Sequence, residues 1–306
     1  MEQALLGSST LEVSRVGLGC NNFGRRLDLP ATRAVIDAAI EAGVTFLDTA
    51  DIYGSGESER FIGEALAGRG HEVVLATKFG MDMQGANGDA TRGSREYMRR
   101  ALDASLARLG RDHVDLYYYH RPDGVTPLEE TLGAMGELVA EGKVRWLGLS
   151  NVDASQIRQA VEFAAAGNPP VVAVQNHFSL MDRDDEADVL PLAVEHGIGY
   201  IPYFPLESGL LTGKYRRGAP EPEGARLSGT DDGRLSDERL ALVETLEAFA
   251  VARGFSLLEL AISGLASMPG VASVISGATS PEQVRANAAA GSRHLIEAEL
   301  AELELL

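Results

Sequence analysis

Residues 114–176 read VDLYYYHRPDGVTPLEETLGAMGELVAEGKVRWLGLSNVDASQIRQAVEFAAAGNPPVVAVQN. Three short apolar runs stand out as strands: Val114–His120, Trp146–Asn151 and Val171–Asn176. Between them lie two helical patterns, Leu128–Glu141, which stops at Gly142, and Asp153–Ala166. The strand starts are 32 and 25 residues apart, the length of one strand–helix unit of a parallel sheet.

The same unit recurs on both sides. Upstream are the runs Val16–Gly19, Thr45–Thr49 and Val73–Phe79; downstream are Gly199–Pro205 and Val271–Gly277, which makes eight. Helical spacing fills Pro30–Gly43, where Val35, Ala39 and Ile40 share a stripe, and Arg95–Leu109, with Met98, Leu102, Leu106 and Leu109. It also fills Ala187–His196, Ser236–Arg253 and Ser280–Ala290. Before the first strand, Ala4–Leu6 and Leu11–Ser14 flank a GSST turn and read as a hairpin. After the seventh comes a long polar loop, Glu207–Arg234, of a length usually tied to function.

Eight such units predict an α/β fold, a single (β/α)8 TIM barrel over residues 1–306 with an N-terminal hairpin and a long loop after strand seven. A barrel of about 250 residues leaves room for those additions. The rival, a doubly wound open sheet, lacks its fingerprint: Gly17, Gly19 and Gly24 do not make G-x-G-x-x-G.

Composition narrows the function classes. Hydrophobic residues at 45% and charged residues at 24% describe an ordinary globular chain. A formal net charge of −18 argues against sequence-blind binding to nucleic acid or anionic lipid. The single cysteine, Cys20, makes no internal disulfide and points to a reducing compartment. MEQALLG has no signal-peptide pattern, and no run approaches the roughly 18 apolar residues of a membrane span. The expected setting is the cytoplasm.

In a barrel the functional groups stand at strand C-terminal ends. Here those ends carry Asp48 and Tyr53, Lys78, His120, Ser150 and Asn151, Gln175 and Asn176, and Tyr203. Strand-end Asp, Asn and Ser also cap helices, but capping does not explain six polar ends in succession. Chemically, an ammonium beside a tyrosine hydroxyl favours the phenolate, so Lys78 is expected to lower the Tyr53 pKa. An aspartate holds the ammonium, and a neutral histidine binds a substrate oxygen. The set makes Tyr53 a general acid for a carbonyl oxygen that becomes an alkoxide. The six histidines show no metal-ligand spacing, and no metal is expected. Asp51, Glu57 and Glu59 read as caps of the next helix.

Four motifs in order, LDTADIYGSGESERFIGEAL, ATKFG, HRPD with EGKVRWLGLSN, and PLESGLLTGKY, give the chain a resemblance to the aldo-keto reductase superfamily along nearly its whole length. The resemblance implies reversible NAD(P)H-dependent reduction of aldehydes and ketones. It implies a catalytic tetrad of Asp48, Tyr53, Lys78 and His120, and nicotinamide contacts from Ser150, Asn151, Gln175 and the ring of Tyr203. Pyrophosphate contacts would come from Pro205, Leu206, Ser208, Gly209 and Leu211, with Lys214 nearby. Adenosine contacts would fall on Gly277, Thr279, Gln283 and Asn287.

Ser280 reads as the N-cap of a helix that begins with Pro281, an arrangement that favours an anion. Gln283 and Asn287 share one face of it, and Arg285 points elsewhere. Thr279 stands where some relatives place a basic residue. NADPH is favoured, because most of the resembled family uses it and because no acidic residue lies between Ser276 and Ser280, with NADH as the second choice. Asn22 and Phe23, from their rim position, are expected to face substrate, together with the Arg121–Pro127 loop. Two other functions share these residues. Channel-associated β subunits have the same fold and tetrad, so a cofactor-sensing binding protein is one; a lysine aldolase working through Lys78 is the other.

Overall fold

The computed structural model describes residues 1–83, 91–223, 225–229 and 233–305. Strands β1 (Gln3–Leu5) and β2 (Glu12–Ser14) pair antiparallel. This hairpin plugs the bottom of the barrel: Leu6, Leu11 and Val13 are buried in the same cluster as Phe46, Leu116 and Ile201 from the strands. Its turn is pressed against the chain entering the seventh strand. Gly7 has φ +57°, and a Cβ there would lie 2.5 Å from the Gly197 carbonyl oxygen, so only glycine fits.

Eight parallel strands follow and close on themselves. They are β3 (Val16–Gly19), β4 (Phe46–Asp48), β5 (Val74–Phe79), β6 (Val114–Tyr119), β7 (Val144–Ser150), β8 (Val171–His177), β9 (Gly199–Tyr203) and β10 (Val274–Gly277), with β10 pairing both β9 and β3. All eight expected runs are strands. The fifth begins at Val144, before Trp146, because Val144 already pairs with Val114. The last begins at Val274; Val271 makes only an isolated bridge to Tyr200.

Alternation along β6 sorts the three tyrosines. Tyr117 and Tyr119 point outward and stack on Phe79, with centroids 4.9 and 5.0 Å away. Tyr118 points into the barrel, where Gly148 makes room: a Cβ at that glycine would lie 2.4 Å from the Tyr118 ring.

The helices are α1 (Leu29–Glu41), α2 (Glu57–Ala65), α3 (Arg95–Leu109), α4 (Leu128–Ala140), α5 (Ala154–Ala165), α6 (Val189–Glu195), α7 (Asp237–Ala252), α8 (Leu257–Ala266), α9 (Pro281–Ala290) and α10 (Glu297–Leu303). Side chains of Asp28, Ser94, Asp153, Ser236, Ser256 and Ser280 cap six of them. Helix α8 is absent from the sequence reading. Leu257, Leu260, Ala261, Ile262, Ser263, Gly264 and Leu265 are all buried, which leaves Glu259 as its one charged residue to mark a polar face. Their main core lies between the strands and this outer ring.

Candidate active site

Asp48 ends β4, Lys78 lies near the end of β5, His120 follows β6, and Tyr53 sits on the turn after β4. The register sets Lys78 beside Tyr118 and Asp48 beside Ala76 and Gly19, so these side chains converge over the inner core. Lys78 has no exposed surface. Its ammonium donates to the Asp48 carboxylate and, at 2.8 Å, to the Thr49 carbonyl, and lies 3.5 Å from the Tyr53 hydroxyl. The second Asp48 oxygen accepts from Gln175 Nε2 at 2.9 Å. The Tyr53 and His120 rings meet edge to face, 5.9 Å apart.

The electrostatics differ from expectation at one point. Burial raises the Tyr53 pKa and outweighs the opposing pull of Lys78, so the phenol stays protonated above its ordinary range. Burial also works against the charge on Lys78, but Asp48 and Tyr53 together outweigh it and the lysine pKa rises. Burial, then the charges of Lys78 and Arg121, hold the His120 pKa well below its ordinary value, so the imidazole is neutral.

A cavity of about 780 Å³ opens over these groups at the C-terminal ends of the strands. At one end it is lined by Asp48, Tyr53, His120, Asn151, Gln175 and Tyr203. Pro205, Leu206, Ser208, Gly209 and Lys214, from the loop after β9, also line it, and Asn22, Gly277, Thr279, Gln283 and Asn287 line its far end. Asn151 knits the first group together: its Nδ2 donates to the His120 carbonyl at 2.8 Å, and its Oδ1 accepts from Tyr203 at 2.7 Å. At the far end Asn22 donates to the Ala278 carbonyl at 3.2 Å, and Gln283 Oε1 accepts from the Thr279 amide at 2.8 Å.

Of the expected Arg121–Pro127 substrate loop only Arg121 lines the cavity, and the strand-end Asn176 does not, its amide being bonded to the Val152 backbone. Four further residues named from sequence do not line it. Lys78 lies beneath it, behind Tyr53. Phe23 is fully buried in the outer core, so its expected substrate contact is corrected: the rim position is right and the side-chain direction is not. Leu211 is fully buried, and its amide donates to the Leu206 carbonyl at 3.2 Å, which removes it as a phosphate donor. Ser150 is buried, with its hydroxyl 3.1 Å from Asn151 Nδ2.

The structure adds two basic residues to the wall, Arg26 and Arg226. They stand in loops after the first and seventh strands, so only the folded chain brings them to Lys214. Their mutual repulsion is visible: burial, then Arg26 and Arg226, lowers the Lys214 pKa. The Arg226 guanidinium packs 5.2 Å from the Phe204 ring. Among the described residues, the non-glycine positions with positive φ are Ser55, Asn151, Phe204, Glu207 and Ser208. Three line the cavity, and the other two lie in the loops that carry Tyr53 and Ser208. Strained backbone concentrated at one cleft marks a functional site.

The expected caps are also corrected. The N-cap of α2 is Gly56, and Glu59 is a fully buried partner of Arg108 at 2.6 Å that also accepts from Thr77. Asp51 is buried beside it, and burial followed by the Glu59 charge pushes its pKa up to about 7. His177, unassigned from sequence, stacks on Tyr203 at 5.6 Å and is held at 2.9 Å by both Asp182 and Glu207.

The Aldo/keto reductase family model matches residues 15–306. The chain belongs to the aldo/keto reductase family. This aldo/keto reductase is 36% identical over 308 residues to an uncharacterized oxidoreductase, YqkF, of Bacillus subtilis, covering 99% of this chain and 96% of the relative. It is 37% identical over 299 residues to a probable voltage-gated potassium channel subunit beta of Oryza sativa, covering 94% and 90%. It is 34% identical over 301 residues to the L-glyceraldehyde 3-phosphate reductase of Escherichia coli O157:H7, covering 94% and 86%. The aldo/keto reductase is thus an oxidoreductase of a family that reduces carbonyl groups and generally uses NAD(P)H.

Proposed function

We propose that this enzyme reduces small aldehydes and ketones reversibly, with NADPH as its preferred cofactor and Tyr53 as its general acid. The observation that carries the reading is the Tyr53 hydroxyl on the cavity wall, 3.5 Å from a fully buried ammonium fixed by Asp48. A bound reduced nicotinamide supplies a hydride to the carbonyl carbon. The cavity suits that group: it runs from Tyr53 to Asn287, and its far half is lined by Arg26, Lys214 and Arg226, cations with no carboxylate in ion-pair range among the described residues. Asn151, Gln175 and Tyr203 would hold the nicotinamide end. Pro205, Leu206, Ser208, Gly209 and Lys214 would hold the pyrophosphate. Gly277, Thr279, Gln283 and Asn287 would hold the adenosine. Arg226 and Arg26 are the partners for a 2′-phosphate that Thr279 does not supply.

Tyr53 arrives protonated, because burial raises its pKa. It gives its proton to the oxygen as alkoxide character develops, and the phenolate left behind sits beside the Lys78 ammonium. Neutral His120 orients the carbonyl oxygen. An aldolase role for Lys78 is disfavoured on access: the ammonium is fully buried and held by Asp48, Thr49 and Tyr53. The buried, unbridged Cys20 fits a cytoplasmic setting.

The test is a panel of aldehydes, ketones and alcohols with NADPH and NADH, read by nicotinamide absorbance. Turnover with a preference for NADPH supports the reading. Cofactor binding with negligible turnover across the panel would favour the second one, a regulatory subunit like the channel-subunit relatives.

A further inference from the structure

We propose that Arg121 is an anion anchor for substrate, and that the preferred substrates are short carbonyl compounds bearing a carboxylate or a phosphate ester. The proposal rests on the reductase reading above and adds the substrate class.

In this acidic chain arginines generally find carboxylates: Arg69 pairs with Asp37 and Glu72, Arg99 with Glu137 and Glu141, Arg183 with Glu186. The three arginines that line the cavity, Arg26, Arg121 and Arg226, have no carboxylate in ion-pair range among the described residues. A cation kept unpaired in a cleft of a protein with net charge −18 is a site for an anion that arrives from outside.

The three fall into two groups. Arg26 and Arg226 cluster with Lys214 at the loop after β9, where the cofactor phosphates are assigned. Arg121 stands apart, next to His120. Its guanidinium makes one hydrogen bond among the described residues, Nη2 to Asn151 Oδ1 at 3.3 Å. The Tyr203 hydroxyl donates to that same oxygen, so the guanidinium lies two hydrogen bonds from the ring assigned to the nicotinamide. The remaining N–H groups form the planar fork that suits a carboxylate or phosphate. Nearby, Asp48 is neutralised by Lys78, and Ile52 and Met81 supply apolar walls. A short substrate with its carbonyl at Tyr53 and its anionic end at Arg121 uses every group at that end of the cavity.

The test compares matched pairs, glyceraldehyde against glyceraldehyde 3-phosphate and butanal against succinic semialdehyde, with saturating NADPH. The wild-type enzyme is expected to favour the anionic member of at least one pair by tenfold or more in kcat/KM, through KM. A preference in one pair alone names the anion. Arg121→Gln should cost the anionic member at least tenfold more than the neutral one, and Arg121→Lys should restore part of the difference. Equal kcat/KM for charged and neutral members in the wild type, or equal losses in Arg121→Gln, would overturn the proposal and leave the arginine as a clamp on Asn151. A calorimetric titration of the protein–NADP+ complex with succinate and glycerol 3-phosphate decides the matter even if no aldehyde is turned over. Binding by the wild type that Arg121→Gln abolishes supports the anchor, and failure of both ligands to bind overturns it.

Discussion

Two buried ion pairs lie on opposite sides of the barrel wall, one between strands β5 and β4 and the other between helices α3 and α2. Inside, Lys78 and Asp48 are almost completely buried and open to the cavity through Tyr53. Outside, Glu59 is equally buried, its Arg108 partner is partly exposed, and neither lines the cavity over the inner pair. A buried ion pair is weak evidence for either stability or function on its own. What separates these two is the third group. The inner pair touches a phenol that faces open space; the outer pair touches Thr77 and lies beside Asp51.

The comparison can be broken from either side. Lys78→Met should lower kcat by about a hundredfold or more, the scale of a lost acid–base group, and leave the fold competent to bind cofactor. A variant with near-normal turnover would reduce the inner pair to a structural one. Arg108→Ala should act oppositely. It strands Glu59 and should destabilise the protein by about 3 kcal/mol, the low end for a broken buried pair given the arginine's partial exposure, as read by chemical denaturation. Turnover per folded molecule should stay within a few-fold, and a collapse of kcat with intact stability would move the outer pair into the catalytic machinery.

Asp51 sharpens the contrast through pH. Its carboxyl titrates near 7 in the folded protein against about 4 when unfolded, so the native state holds the extra proton. Stability is therefore lost as pH rises from about 4 to 7, with a ceiling of about 4 kcal/mol. Asp51→Asn should flatten that slope in denaturation curves taken between those pH values; an unchanged slope would show that the carboxylate is accommodated. The smallest effect belongs to His177. Its pKa is raised by Glu207 against the opposing effect of burial, so its contribution is full below about 6.5 and is lost as pH rises through the higher folded value. His177→Gln should remove this second slope, and the same pH dependence in the variant would assign it elsewhere.

Much of this was legible in the chain. All eight barrel strands are short apolar runs, most of them one strand–helix unit apart, and most of the polar residues that end them converge as barrel geometry requires. The unread parts share physical reasons. Helix α8 is short and mostly buried, and Glu259 is its one charged residue. Phe23 sits at the rim, but loop position does not fix side-chain direction. The sign of the Tyr53 shift depends on burial, which no spacing reveals. Arg26 and Arg226 meet Lys214 only once distant loops fold over the strand ends, and Glu59 looks like a helix cap until Arg108 reaches it from α3.

The most direct test of the central claim is Tyr53→Phe, with steady-state reduction of an aldehyde and NADPH binding by fluorescence measured on the same preparation. The account predicts loss of reduction by about a hundredfold or more with cofactor affinity retained. Near-full turnover in that variant would contradict it.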